Sequence, residues 1–169
     1  MSGSPSVGGG DPAALDRRAS RILLIDRSER LLLFCMHDPE RPHRGRWWIT
    51  PGGGLEDDET FEDAARRELF EETGIAVDAL GPMIHESLAT WFWGERLVNQ
   101  FQRFFVVSTA EVAIVVDGWE ESERQTTLEH RWWTLEEIGS AVDLILPENL
   151  AVLAAKAIGL ARVRETDRP

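Results

Sequence analysis

A run of three glycines followed by a short, strongly acidic segment constrains this chain more than any other feature. The stretch PGGGLEDDETFEDAARRELFEETGI occupies residues 51–75. From Thr60 to Glu72 the apolar residues recur at helical spacing, Thr60 suits the N-cap, and Gly74 suits a left-handed C-terminal stop. The segment therefore predicts an α-helix that follows a glycine-rich loop, whose backbone can approach a ligand closely.

Three glutamates of this helix are predicted to share its apolar side. With about 100° of rotation per residue, Glu68, Glu71 and Glu72 fall within about 80° of Phe61, which faces the core. They also occupy the last helical turn, where the helix dipole disfavours each added negative charge by about 0.3–1 kcal/mol. A solvated acidic surface would lie on the opposite side. The pattern therefore favours a bound hard cation such as Mg²⁺, which takes carboxylate oxygens.

The negative charge of the chain is concentrated in this same segment. The 169 residues carry a formal net charge of −12, which disfavours nonspecific binding to nucleic-acid backbone or to an anionic membrane. Residues 56–72 contain nine acidic side chains and two arginines, a balance of −7. We therefore expect neither a nucleic-acid polymer nor a membrane as partner.

The length predicts one domain with one core, since 169 residues suit a single folded unit. The Gly-, Ser- and Pro-rich start predicts a flexible tail over residues 1–18. A single domain over residues 19–165 and a short C-terminal tail over residues 166–169 are expected to follow.

Three features predict a cytoplasmic protein. No apolar run approaches the roughly 18 residues needed to span a bilayer, and the first residues lack the basic and apolar regions of a secretory signal. The single cysteine, Cys35, allows no internal disulfide, and its apolar neighbours predict that it is buried. Lys156 is the only lysine beside many arginines, which is typical of a GC-rich bacterial genome.

Apolar and alternating runs elsewhere predict a mixed sheet with helices packed on it, an α+β or α/β domain. A closing helix is predicted over PENLAVLAAKAIGLARV, with Pro147 in its first turn. A strand between Ile84 and Trp93 is a weaker prediction. The other strands are predicted over ASRILLID, RLLLFCMHD, WWIT, ERLVNQFQRFFVVS and HRWWTL.

The acidic segment matches a known family motif at every defined position. The motif is the Nudix box, which reads Gly, five residues, Glu, seven residues, then Arg-Glu-aliphatic-any-Glu-Glu-any-Gly-aliphatic. The chain therefore resembles the Nudix hydrolases, and the resemblance extends more loosely from Ala19 to about Arg164. The matching residues are Gly53, Glu59, Arg67, Glu68, Leu69, Glu71, Glu72, Gly74 and Ile75.

The resemblance implies a Nudix fold, an α/β/α sandwich in which the box forms a loop–helix–loop catalytic motif. It also implies Mg²⁺- or Mn²⁺-dependent hydrolysis of a nucleoside diphosphate linked to another moiety. By position, Glu71, Glu72 and the carbonyl group of Gly52 would bind the metal ion, and Glu68 would bind metal or act as general base. In the same way Arg67 would orient a glutamate, Glu59 would support the loop or a metal ion, and Gly53 and Gly74 would be structural.

Some members of the family use a glutamate from a later loop as the base. The candidates in this chain are Glu120, Glu121, Glu123 and Glu129, of which we favour Glu123.

Several basic and aromatic residues are candidates for substrate binding. Arg44, Arg46 and Arg103 could contact phosphate, and Trp91, with Trp93 on the same side of an extended segment, could stack on a base. The sequence lacks the motifs that distinguish the subfamilies acting on coenzyme A, ADP-ribose, dinucleoside polyphosphates and NADH. We therefore expect a (deoxy)nucleoside triphosphate or a nucleotide sugar as substrate. Because many relatives are dimers, a homodimer is considered as well as a monomer.

Three alternatives stay open at this point. A Nudix-like sensor or scaffold would bind a nucleotide without cleaving it, but degenerate members typically lose glutamates of the box. An isopentenyl-diphosphate-type isomerase shares the fold but usually relies on a catalytic cysteine, whereas Cys35 lies in an apparent core strand. An acidic domain without a ligand would not place its glutamates on the apolar side of the helix.

Overall fold

A seven-stranded mixed sheet with helices on both faces forms the part of the chain described by the computed structural model, residues 14–93, 96–115 and 121–166. The strands are β1 (Leu15–Ile25), β2 (Leu31–His37), β3 (Arg46–Ile49), β4 (Met83–Trp93), β5 (Arg96–Ser108), β6 (Thr127–Trp133) and β7 (Leu144–Leu146). The helices are α1 (Phe61–Thr73), α2 (Glu121–Thr126), α3 (Leu135–Gly139) and α4 (Leu150–Thr166), with a 3₁₀ turn at Pro42–Arg44.

The sheet places β1 at its centre. The strand order is β4-β5-β1-β2-β3-β7, with β6 paired to β2. Strand β1 runs parallel to β5, with Leu15 opposite Val98 and Ile25 opposite Ser108. On its other edge β1 binds the glycine-rich loop, because the Ser20 N–H donates to Gly53 O at 2.9 Å. The loop is thereby fixed to a central strand of the sheet.

Apolar side chains cover both faces of the sheet because successive residues of a buried strand point in opposite directions. On one face Ile22 and Leu24 pack with Phe61 and Leu69 of α1. On the other face Leu23 and Ile25 of β1 pack in the core that includes α4. The mixed sheet between helices confirms the predicted fold class, and Cys35 is fully buried, as expected.

Helix α4 begins later than the sequence pattern indicated. The prediction that Pro147 lies in the first turn of this helix is wrong, because the helix starts at Leu150. The residues just before this proline form β7, in which Leu146 pairs with Ile49. The N–H of Leu150 donates to the Pro147 carbonyl at 2.8 Å in the turn that leads into the helix.

Two other boundaries also differ from expectation. Strand β1 starts at Leu15, four residues before Ala19, where the strand was predicted to begin, because its first residues pair with β5. Strand β6 ends at Trp133, because the Thr134 side chain caps α3 and forms a capping box with Glu137. None of the helices in the described part of the chain is long and apolar enough to cross a membrane.

Candidate active site

The glycine-rich loop lies so close to β1 that it has no room for a side chain. At Gly52, where φ is +125°, an added Cβ would lie 2.1 Å from the backbone oxygen of Ser20. The N–H of Ile22 donates to Pro51 O at 2.9 Å, and the N–H of Leu55 donates to Arg18 O at 3.0 Å. Backbone hydrogen bonds on both sides of Gly52 therefore fix the path of the loop.

Helix α1 is fixed at both ends by the residues that its sequence predicted. The Thr60 side chain accepts a hydrogen bond from the Asp63 N–H at 3.1 Å. Gly74 adopts the left-handed conformation, and its N–H donates to Phe70 O at 2.8 Å. The Ser20 hydroxyl donates to Phe61 O at 2.6 Å, which ties the first turn of the helix to β1. These contacts set the direction in which the glutamates of α1 point.

Glu68 and Glu72 lie directly against the glycine-rich loop. Glu68 is only 8% exposed, and a Cβ added to Gly53 would come within 2.4 Å of its Oε1 atom. The Gly52 N–H donates to Glu72 Oε2 at 2.6 Å. Two carboxylates of the helix therefore meet the loop backbone at adjacent residues, and at Gly53 the approach of Glu68 leaves no space for a side chain.

Arg67 connects three carboxylates of the segment. Its Nε and Nη2 atoms donate to the two oxygens of Glu59 at 2.9 and 2.8 Å. Its Nη1 atom donates to Glu68 Oε1 at 2.8 Å and to Glu71 Oε2 at 3.0 Å. Nη2 also reaches the Gly54 carbonyl at 2.9 Å. The guanidinium group thus holds the loop, the buried glutamate and the more exposed glutamate in one cluster.

The charges of this cluster stabilise one another. The hydrogen bonds from Arg67 hold the pKa of Glu59 below its ordinary value, and Glu59 in turn raises the pKa of Arg67. Glu59 also accepts a hydrogen bond from the Glu56 N–H at 2.9 Å. Its carboxylate therefore contacts the loop as well as the guanidinium group.

Arg21 is the residue at this site that sequence reasoning missed. It lies half-buried in β1, and its Nη1 atom donates to the Gly52 carbonyl at 2.8 Å. Desolvation lowers the pKa of Arg21, while the nearby Glu72 opposes that shift. The available signal was a single arginine inside the apolar run of a core strand, where a charged side chain needs a partner.

The donor groups at the loop have the chemistry that a hard divalent cation requires. Glu68, Glu71, Glu72 and the Gly52 carbonyl offer only oxygen atoms, the ligands preferred by Mg²⁺ and Mn²⁺. The Glu71 side chain is 45% exposed, so the cluster is open to solvent.

The side chains do not converge on a single point. In the described ranges, no three His, Cys, Asp or Glu side chains form a ready-made cation cluster. Instead, Nη1 of Arg67 lies between the carboxylates of Glu68 and Glu71. A carboxylate has acceptor capacity for several partners, and a carbonyl oxygen has two lone pairs. The residues therefore offer the type of donor atom that the predicted ion requires. In this structure the guanidinium group of Arg67 balances the negative charges of Glu68 and Glu71.

The arginines predicted to bind phosphate lie in three different places. Arg46 pairs with Asp143 at 3.1 Å, and Arg44 is exposed in the 3₁₀ turn. The Arg103 guanidinium group stacks 4.5 Å from the ring centre of Phe61, at the first residue of α1. Since a helix rises 1.5 Å per residue, Phe61 lies about 10–16 Å along the axis from the last-turn glutamates. The structure therefore does not bring Arg103 to the carboxylate cluster.

The other predicted residues are only partly visible. Glu120 and the side chains of Glu123 and Trp93 lie outside the described part of the chain. Glu121 accepts a hydrogen bond from Gln125 at 2.9 Å, and Glu129 is exposed on β6, 3.8 Å from Arg46. Trp91 is half-buried on β4 opposite Val98. The general base among the later glutamates therefore stays a prediction.

Sequence comparison relates the chain to one family along most of its length. The family model of the NUDIX domain matches residues 15–155. The RNA pyrophosphohydrolase of Dinoroseobacter shibae is 31% identical over 152 residues, which cover 81% of this chain and 87% of that protein. The 8-oxo-dGTP diphosphatase of Proteus vulgaris is 51% identical over 45 residues, 27% of this chain and 40% of that protein.

Solved structures agree on the fold. The MutT protein from Methanosarcina mazei Go1 matches with a TM-score of 0.58 and 20% sequence identity. The match covers 92% of this chain and 98% of that one. A NUDIX-family hydrolase from Clostridium perfringens matches with a TM-score of 0.56 at 19% identity, over 86% of this chain and 97% of that one. At these identities the likeness is one of fold.

Proposed function

Because the chain belongs to the NUDIX family, we propose that it is a divalent-metal-dependent hydrolase of pyrophosphate bonds. The substrate class would be a nucleoside diphosphate derivative, such as a (deoxy)nucleoside triphosphate or a nucleotide sugar. The observation that carries the proposal is the contact of Glu68 and Glu72 with the loop at Gly52 and Gly53. Such a group of oxygen donors suits an ion that also binds a diphosphate.

The glutamates of α1 would hold the ion and handle the proton. Glu71, Glu72 and the Gly52 carbonyl are the proposed ligands, and Glu68 is the proposed ligand or base. Bound Mg²⁺ or Mn²⁺ would neutralise the diphosphate and lower the pKa of a bound water. The attacking water would pass its proton to the Glu68 carboxylate, or to Glu123, as a phosphorus–oxygen bond forms. The anhydride bond then breaks, and the leaving phosphate keeps the electron pair.

Arg67 would keep these groups in place during the reaction. Its hydrogen bonds hold the carboxylates of Glu68 and Glu71 beside the glycine-rich loop. Arg44 and Arg46 are exposed and are proposed to contact phosphate. Trp91 is proposed to stack on the base, since an aromatic ring supplies a large apolar face.

The activities for which the relatives are named support the reaction class more than the substrate. Both the RNA pyrophosphohydrolase and the 8-oxo-dGTP diphosphatase are named for hydrolysis at a pyrophosphate group. The longer match, to the RNA enzyme, makes an RNA that carries a pyrophosphate group a second candidate substrate. The net charge of −12 weighs against a long polyanion, because like charges repel.

A substrate panel with an inactive variant as the blank tests the proposal. The panel contains dNTPs, 8-oxo-dGTP, nucleotide sugars, ADP-ribose, dinucleoside polyphosphates and a short 5′-triphosphate RNA, each with Mg²⁺. Products are identified by mass, and Glu72→Gln is the blank. Cleavage of one class above the blank would establish the hydrolase and name its substrate. No cleavage, with the ion still bound, would favour a nucleotide-binding sensor instead.

A further inference from the structure

We propose that Arg21 is a positioning residue, which orients the Gly52 peptide and through it the carboxylate of Glu72. The inference rests on the proposed function, because it assigns Arg21 a task in forming the metal-binding group. Arg21 lies on β1, while Gly52 is 31 residues further along the chain. Arg21 lies outside the family motif, which runs from Gly53 to Ile75.

A charged side chain in a core strand needs a compensating contact. The neighbours of Arg21, namely Ser20 and Ile22, are both fully buried. Burying a charged group is costly unless it is paired and hydrogen-bonded. Glu72 and Glu68 attract the charge of Arg21, whereas Arg17 repels it. The hydrogen bond to the Gly52 carbonyl, together with the attraction of these carboxylates, therefore compensates for the burial of this arginine.

Arg21 and Glu72 each form a hydrogen bond with one of the two backbone polar groups of Gly52. Nη1 of Arg21 donates to the Gly52 carbonyl at 2.8 Å and lies 3.4 Å from the Thr50 carbonyl. The Gly52 N–H donates to Glu72 Oε2 at 2.6 Å. Gly52 has no side chain and a positive φ, and the peptide that carries its N–H is also held by the Ile22 N–H at the Pro51 carbonyl. Arg21 therefore acts on the neighbouring peptide, which carries the Gly52 carbonyl. Loss of the arginine contact would release the carbonyl and loosen the partner of Glu72.

The sheet holds the Arg21 side chain in turn. Its Nε atom faces Gln102 Oε1 at 3.5 Å, which also accepts from Gln100 Nε2 at 3.1 Å. Gln102 Nε2 donates to Ser87 Oγ at 3.2 Å. Gln100 and Gln102 are 2% and 7% exposed, so this polar row is buried on β5 and ends at the half-buried Ser87 on β4. A connected buried network is rigid, which suits a group that must hold another in place.

The shape of arginine matters for this role. A guanidinium group donates in several fixed directions, whereas a lysine ammonium is a single compact charge. Arg21→Lys would keep the positive charge near Glu68 and Glu72 but could not contact both Gly52 and Gln102 in the same way. Arg21→Met would remove the charge as well as the hydrogen bonds, so the two substitutions together separate charge from orientation.

The test measures Mn²⁺ binding directly, by the free Mn²⁺ signal in electron paramagnetic resonance, in wild type, Arg21→Met and Arg21→Lys. Removal of a residue that orients a metal ligand typically weakens metal binding or activity about 10- to 100-fold. We expect a loss of Mn²⁺ affinity in this range for Arg21→Met and a smaller loss for Arg21→Lys. With substrate, kcat should fall while KM changes little. Arg18→Met is the matched control, since Arg18 is an exposed arginine of the same strand.

The outcomes separate this inference from the proposed function. Wild-type affinity for Mn²⁺ in a folded Arg21→Met would overturn the inference, even if its melting temperature fell. If Arg21→Met does not fold, Arg21→Lys decides the matter in the same way, since unchanged affinity and kcat would also overturn it. A wild-type protein that neither binds Mn²⁺ nor cleaves any substrate would overturn both proposals. If the wild type is active and the Arg21 variants bind Mn²⁺ and turn over substrate as wild type does, only the inference about Arg21 is overturned.

Discussion

Arg67 binds Glu59 through two parallel hydrogen bonds, from Nε to Oε1 at 2.9 Å and from Nη2 to Oε2 at 2.8 Å. The two residues stand eight positions apart, one in the loop and one in α1. The remaining donor of the same guanidinium group reaches Glu68 and Glu71. One side chain therefore couples the shape of the loop to the position of the proposed metal ligands.

Arg67→Lys should impair the site because a lysine cannot form this fork. We expect kcat to fall about 10- to 100-fold, with a lower melting temperature, since the loop and two glutamates lose a common donor. Steady-state kinetics and thermal unfolding check the result. Arg66→Lys is the matched control, because Arg66 lies next in sequence and pairs with the exposed Asp63. Equal loss in both variants would contradict the coupling role.

Glu59 should make the folded protein sensitive to acid. Its pKa is lowered in the folded state by Arg67, from an unfolded value of about 4.3. The stabilisation is therefore fully present above that unfolded value and is lost as the pH falls through the lower, folded value. Glu59→Gln should be less stable than wild type at pH 7, and the difference should shrink below about pH 4. Urea unfolding across this range measures it. A difference in unfolding free energy between wild type and Glu59→Gln that does not vary with pH would contradict the stabilising role of the Glu59 charge.

Gly52→Ala should destabilise the fold strongly. The added Cβ would lie 2.1 Å from the Ser20 carbonyl oxygen, and the φ of +125° is unfavourable for alanine. We expect a loss of at least about 2 kcal/mol in the free energy of unfolding, measured in urea. Gly159→Ala in α4 is the matched control with the opposite sign. Its added Cβ meets no atom within 4 Å, and alanine should stabilise the helix by about 0.5–1 kcal/mol.

Cys35 should be unreactive in the native protein. Its side chain is fully buried, and desolvation raises the pKa of its thiol. Since the thiolate is the reactive form, labelling by a disulfide reagent at pH 8 should be slow in the folded state and rapid in denaturant. The denatured protein serves as the control. Rapid stoichiometric labelling of the native chain would contradict this burial and reopen the thiol-dependent alternative.

The segment with strong local signals could be predicted almost to the residue. Helix α1 was expected over Thr60–Glu72 and runs from Phe61 to Thr73. The prediction was close because the capping residues and the apolar spacing both lie in or next to the helix. Strand β7 has three residues, too few for a periodic pattern, and exists through its pairing with β3. Short elements of this kind depend on contacts that are distant in the sequence.

The same distinction holds within the site. The glutamates of α1 and the glycines were predicted from their spacing, but Arg21 was not, because its partners Gly52 and Gln102 lie 31 and 81 residues away. The contact of Arg103 with phosphate stays a prediction, and its stacking on Phe61, on the face of β5 that it shares with Phe101, could not be read from the sequence. Only the pairing of the strands decides which side of the sheet such a residue faces.

The most direct test of the proposed chemistry compares two glutamate variants of α1 under a titration with Mg²⁺. Glu72→Gln keeps an oxygen that can accept the Gly52 N–H but loses the charge that binds the ion. Glu62→Gln removes an exposed charge in the first turn of the same helix and serves as control. Turnover of the best substrate and the melting temperature are measured at each Mg²⁺ concentration.

We predict that Mg²⁺ switches on turnover and raises the melting temperature of wild type and Glu62→Gln, since the ion binds the folded site. In Glu72→Gln turnover should fall by more than about 100-fold and the thermal shift should be lost. Near-normal turnover and a normal thermal shift in Glu72→Gln would contradict the account of this site.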